Sequence, residues 1–134
     1  MLVLVAAQEE NKCRVFRNRV VNSIAHTMKQ LGKISKISVG QGGYQDAMIG
    51  ITFDIQGQGW GIGDFWGYWA TKITSGTKWT EADRIKALGE VMMRLNALLQ
   101  TAKVSNTNQL VGIPVEVETK DNTLVSWRVL TEVL

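Results

Sequence analysis

Hydrophobic and polar residues follow two different periods along this chain, and each period predicts its own element. Over the first thirty residues Val15, Phe16, Val20, Val21, Ile24, Ala25, Met28 and Leu31 fall close to helical spacing, with Gly32 as the stop. This predicts an amphipathic N-terminal helix with Arg14, Arg17 and Lys29 on its polar side. Extended runs follow at about 33–40, 45–56 and 59–70, the first two separated by the turn Gly40-Gln-Gly-Gly43. Thr80 then precedes Asp83 in a capping pattern, and Ile85, Leu88, Val91, Met92, Leu95, Leu98 and Leu99 form an apolar stripe that predicts a helix over about 81–102. Gly89 in that helix points to a close crossing. Pro114 to Thr119 and Leu124 to Leu130 alternate about a polar turn, which reads as a hairpin with Trp127 and Arg128 on opposite faces. The expected fold is α+β: an N-terminal helix, a three-stranded antiparallel meander, a second helix and a C-terminal β-hairpin.

Within the third strand, Gly57-Gln58-Gly59-Trp60-Gly61-Ile62-Gly63-Asp64-Phe65-Trp66-Gly67-Tyr68-Trp69 repeats glycine at every second position beside five aromatic residues. Strand side chains alternate faces, so the odd positions form a nearly bare face and the even positions a loaded one. Phe65 is the large side chain on the bare face, between Gly63 and Gly67. Glycine weakens a strand, so its recurrence points to a planar molecule or another backbone approaching closely, with Phe65 able to stack on a flat ring. The competing explanation is packing alone, with Phe65 covering bare backbone.

A chain of 134 residues with 45% hydrophobic and 20% charged residues fits one domain, divided here into a helical arm over about 1–32 and a core over about 33–134. Net charge is +3, and Lys12, Arg14, Arg17, Arg19, Lys29, Lys33 and Lys36 place much of the excess early, which favours an anionic partner. Cys13 is the lone cysteine and the apolar opening is too short for a membrane span or signal core, so an intracellular protein without membrane partners is expected.

Catalytic chemistry finds little support. His26 has no carboxylate within eight residues, and four zinc ligands cannot be assembled from one His and one Cys. The glycines lack the Gly-Lys-Ser/Thr of a phosphate loop and lead into a strand. Asp46, Asp54 and Asp64 could in principle hold magnesium or act as acid and base, with Asp54 and Asp64 expected to face solvent across a ladder. A non-enzymatic binding protein without cofactor is the better expectation. Its candidate ligand residues are Gly63, Asp64, Phe65, Trp66, Arg94 and Arg128, with Asp64 accepting from ribose hydroxyls or an amide and the arginines meeting phosphate.

The strand Gly-Gln-Gly-Trp-Gly-Ile-Gly-Asp-Phe-Trp-Gly-Tyr, the acid-capped helix with Val91-Met-Met-Arg-Leu95, and Leu110-Val-Gly-Ile-Pro-Val-Glu-Val117 together resemble a group of small phage and prophage proteins over about residues 33–134. Within that group the chain is similar to the phage anti-Thoeris sponges. The resemblance implies a homo-oligomer in the host cytoplasm that sequesters a cyclic ADP-ribose signal between subunits, with Phe65 on the adenine, Arg94 on the pyrophosphate and the N-terminal helix aiding assembly. The sequence departs from the pattern at Asp64-Phe65-Trp66, where small residues are usual, and at Ile113 in place of Lys. The alternatives are a phage single-stranded DNA-binding protein, using the basic first helix and the aromatic strand, or a protein inhibitor of a host nuclease defence.

Overall fold

The computed structural model describes residues 27–134. Five strands, β1 (Thr27–Gly42), β2 (Met48–Gly57), β3 (Trp60–Trp69), β4 (Pro114–Lys120) and β5 (Thr123–Val129), form one antiparallel sheet in the order β3-β2-β1-β4-β5. The one long helix among the described residues, α1 (Glu81–Ala102), lies between β3 and β4 in sequence.

This arrangement overturns the expected N-terminal helix followed by a separate meander and hairpin. Thr27 to Leu31, assigned above to the end of a helix, are strand, and the C-terminal hairpin joins the same sheet through them. Met28 and Leu31 are three residues apart, a helical spacing, and as a strand the segment places them on opposite faces, both exposed, so the local pattern favours helix over strand. Pairing of Thr27–Lys33 with Lys120–Pro114 decides between them, because each residue gains a ladder partner that the local sequence does not reveal. The remainder of the expected helix, with Arg14, Arg17 and His26, lies outside the described residues.

The two halves of β1 have different partners. Residues up to Lys33 pair with β4, and those from Lys33 onward with β2. Where the partners change, a one-residue bulge at Ser35 separates the pairs Ile34↔Ile55 and Lys36↔Asp54, and the Ser35 hydroxyl donates to the Asp54 carbonyl oxygen at 3.0 Å. A bulge bends its strand and sharpens the twist, which here folds one half of the sheet towards the other. The edge strands β3 and β5 are four strand spacings apart, about 19 Å on a flat sheet. Yet Trp66 of β3 and Trp127 of β5 stack with ring centroids 5.9 Å apart. The sheet is therefore strongly curled, with α1 on its inner side.

Inside the curl, Ile34, Ile55, Val115, Val117, Val129, Leu110 and Ala102 form one buried cluster, and Ile51, Phe53 and Trp66 a second. Leu98 of α1 packs against both, and Val91 and Leu95 against the second. Thr80 and Asp83 form a reciprocal capping box, in which the Asp83 N–H donates to Thr80 Oγ1 at 3.1 Å and the Thr80 N–H donates to Asp83 Oδ2 at 2.8 Å. The apolar stripe is narrower than expected: Ile85 and Met92 are 65% and 60% exposed. At 100° per residue these two lie to one side of the line through Leu88, Val91, Leu95 and Leu98. The close crossing expected at Gly89 is absent, since a Cβ there would meet nothing within 4 Å.

Candidate functional site

Alternation along β3 sends the six sequence-selected ligand residues to different places. Asp64 and Trp66 project into the curl, where Trp66 packs in the core with Phe53, and Phe65 and Gly63 occupy the opposite, helix-free face. Arg94 approaches from α1 on the inner side, its guanidinium carbon 3.9 Å from the centre of the Trp66 ring. Arg128 is on the helix-free face, far along the sheet on β5, and is bound to Glu116 at 3.1 Å and Glu132 at 2.9 Å. One ligand on a single chain cannot touch both Phe65 and Arg94.

The inner group is a closed polar knot. Asp64 Oδ2 accepts from the indole N–H of Trp66 at 3.0 Å and of Trp127 at 2.8 Å, and Asp64 Oδ1 accepts from the Phe65 backbone N–H at 2.9 Å. Asp64 thus bridges the two edge strands and is engaged with the protein itself, which leaves it poorly disposed to hold ribose. Phe53 fills the space beside both indoles, 4.5 Å from Trp66 and 5.3 Å from Trp127. Burial lowers the Arg94 pKa, opposed by the attraction of the Asp64 carboxylate. Its Nη1 is buried with no hydrogen-bond partner among the described residues, so the cation is held by stacking on Trp66 and by the nearby carboxylate.

On the helix-free face, strand register lays out a grid across β1, β2 and β3. Successive rows read Gly40, Gly50, Gly67; then Ser38, Thr52, Phe65; then Lys36, Asp54, Gly63. Phe65 is half-buried, its Cε2 and Cζ lying 2.6 and 2.7 Å from where a Cβ on Gly67 would sit, and its Cε1 3.1 Å from the same position on Gly42. The ring thus rests on bare backbone, as the packing explanation requires, and stays on the side of the sheet away from α1.

Next to Phe65 on this face lies an open depression of 640 Å³ lined by Ser35, Lys36, Asp54, Gln56, Gly61 and Gly63, among others. Lys36 is exposed and Asp54 half-buried, and no ion pair joins them within 4 Å among the described residues. The expected matching of Asp54 with Asp64 is corrected here: Asp54 pairs with Gly63 and Asp64 with Phe53, so the two carboxylates face opposite sides. Among the described residues no group of three His, Cys, Asp or Glu side chains could hold a metal ion.

Sequence reasoning offered Asp54 only for magnesium or acid–base chemistry and Lys36 only as part of the early positive charge, and joined neither to Phe65. Lys36, Asp54 and Gly63 align through the registers of β1 with β2 and of β2 with β3, and the Ser35 bulge, which has no marker in the sequence, shifts the parity of the part of β1 before it. Among the described residues no helix is long and apolar enough to cross a membrane. Comparison with family models, with curated proteins and with solved structures finds no match to this chain.

Proposed function

We propose that this chain is a non-enzymatic binding protein that captures a small nucleotide signal of the cyclic ADP-ribose type on its helix-free face, and serves a phage by withholding that signal in the host cytoplasm. The observation that carries this reading is the position of Phe65: a half-buried ring outside the core, beside an open depression that presents an exposed lysine. A phenyl ring supported from below can stack on a base, an interaction worth roughly 1–3 kcal/mol. Lys36 takes the role of anion partner first given to Arg94, which faces the other way. Sequestration at nanomolar Kd needs about −12 kcal/mol, more than stacking and one exposed cation supply, so a second copy roofing the face belongs to this reading.

Calorimetry with cyclic ADP-ribose isomers tests it, beside sedimentation of the protein with and without ligand. Phe65→Ala is expected to weaken capture by roughly 5- to 150-fold, the equivalent of one lost stacking contact, while the thermal midpoint stays near wild type. A variant that unfolds instead would make Phe65 a cover for Gly42 and Gly67 and nothing more.

Single-stranded nucleic acid is the second reading, favoured by Lys29, Lys33 and Lys36. All three are exposed and lie on the helix-free side of β1, with exposed Leu31 among them. Binding through several phosphates weakens steeply with added salt, whereas an enclosed single nucleotide responds little. An oligonucleotide titration at two ionic strengths separates the two.

A further inference from the structure

The depression beside Phe65 has a composition that narrows what it can hold. Lys36, Asp54 and Gly63 stand in one row across β1, β2 and β3, and Gln56 and Gly61 in the next. Lys36 offers a cation and Asp54 a hydrogen-bond acceptor, so a complementary molecule carries both an anionic oxygen and hydroxyl or amine donors. Asp54 Oδ1 lies 3.6 Å from where a Cβ on Gly63 would be, which sets the carboxylate at the edge of that bare position. The Ser35 hydroxyl is spent on the Asp54 carbonyl, so the bulge beside Lys36 is itself held in place.

Gly61 and Gly63, like Gly40 in β1, differ from the tightly packed glycines of the sheet. At Gly67 a Cβ would collide with the Phe65 ring, and at Gly50 with the Trp66 carbonyl and the backbone of Gly67, so internal packing accounts for both. At Gly61 and Gly63 a Cβ would meet atoms only at 3.6 to 3.8 Å, ordinary contact, and neither residue has a positive φ. The protein's own packing and backbone geometry leave these two positions free to carry a side chain. Glycine within a strand costs roughly 0.5–1 kcal/mol relative to alanine, and here no intramolecular contact offsets that cost.

We infer that this depression is a subsite for the sugar and phosphate of a ribonucleotide, with Lys36 on the phosphate, Asp54 accepting from the ribose hydroxyls and the exposed backbone of Gly61 and Gly63 as the floor. The inference rests on the reading of the helix-free face as a nucleotide surface and adds the part of the ligand that each residue meets. Gly63 and Phe65 are two residues apart on one face, roughly 6.6 Å between their Cα atoms, and the ring leans over Gly67 and Gly42, so a base that reaches it from a ribose on Gly63 extends along β3 towards Gly67. A 2′,3′-dideoxynucleotide lacks the ribose hydroxyls that Asp54 would engage, and inorganic phosphate has no ribose at all.

The test is calorimetry of the full chain with cyclic ADP-ribose, adenosine 5′-monophosphate, its 2′,3′-dideoxy analogue and inorganic phosphate. Wild type is expected to prefer the ribonucleotide monophosphate over the dideoxy analogue at least tenfold, and Asp54→Asn to reduce that preference below threefold. Lys36→Gln should weaken both monophosphates by a similar factor. Gly63→Ala and Gly63→Val should bind every nucleotide at least tenfold more weakly while melting at or above the wild-type temperature, a combination that a packing glycine would not produce. If wild type binds cyclic ADP-ribose but the Gly63 variants bind as well as it does, or if the dideoxy analogue binds as well as its parent, the subsite is overturned and the broader binding function stands. If wild type binds none of the nucleotides, both fall together.

Discussion

At the scale of single residues, Asp64 does the work of a cross-link. One carboxylate oxygen receives the indole N–H groups of Trp66 and Trp127, which belong to opposite edges of the sheet, and the charge lies near the Arg94 guanidinium. Truncation leaves two inward-facing donors unsatisfied and takes a counter-charge from a buried cation. Each unsatisfied donor costs about 1–3 kcal/mol, so Asp64→Ala is expected to lower stability by roughly 2–6 kcal/mol in denaturant titration. A loss under about 0.5 kcal/mol would mean that water takes over both indoles. Arg128 is a second residue whose partners define its role: its hydrogen bonds, followed by a backbone hydrogen bond, hold Glu132 at about 2, below the usual 4.5. A depressed carboxyl pKa favours the folded state above the unfolded value, and that contribution disappears as pH falls from 4.5 towards 2. NMR titration of the Glu132 carboxyl should find its midpoint near 2 in wild type and shifted up towards 4.5 in Arg128→Ala, where only the backbone hydrogen bond still lowers it. A wild-type midpoint near 4.5 would remove the ion pair from solution.

At the scale of elements, the bulge in β1 decides which side chains meet. Side chains alternate with a period of two, so one inserted residue lets Ile34 and Ile37 both face the core while Lys36 faces out. Deleting Ser35 would force every residue on one side of it to the wrong face, exposing Ile34, which is fully buried, or its equivalents in the other half. The deletion variant is therefore expected to lose cooperative unfolding, read by circular dichroism, whereas Ser35→Ala loses only the hydrogen bond to Asp54 and keeps a sharp transition. A folded deletion variant would show that β1 can slip by one residue without penalty. Helix α1 presents a simpler case, because its start, cap and end were already legible: Thr80 and Asp83 supply reciprocal hydrogen bonds, and Lys103 closes it in a left-handed conformation. The hairpin of β4 and β5 was legible too, and Trp127 and Arg128 do take opposite faces.

At the scale of the whole molecule, the curl of the sheet governs both the core and the candidate site. It brings β3 to β5 on the inner side, fills that side with tryptophan, phenylalanine and the stripe of α1, and leaves the outer side of β1, β2 and β3 to glycine, Phe65, Lys36 and Asp54. Phe65 and the glycine alternation were visible in the sequence because period two is a local property of a strand. The separation of Phe65 from Arg94 was not, since it depends on which face α1 covers. Nor was the helical reading of Thr27 to Leu31 avoidable from the local pattern, which favours a helix until β4 supplies hydrogen-bond partners.

What the sequence alone determined, then, is the set of properties carried by near neighbours: the strands after Gly32, the capped helix, the final hairpin and a ribbon with one bare and one aromatic face. Tertiary structure decided the rest. The pairing of β1 with β4, the meeting of Trp66 with Trp127 on Asp64, and the row of Lys36, Asp54 and Gly63 all join residues distant in the chain. Such contacts follow from register, bulge and curvature, and these are set by how the whole sheet buries its inner face.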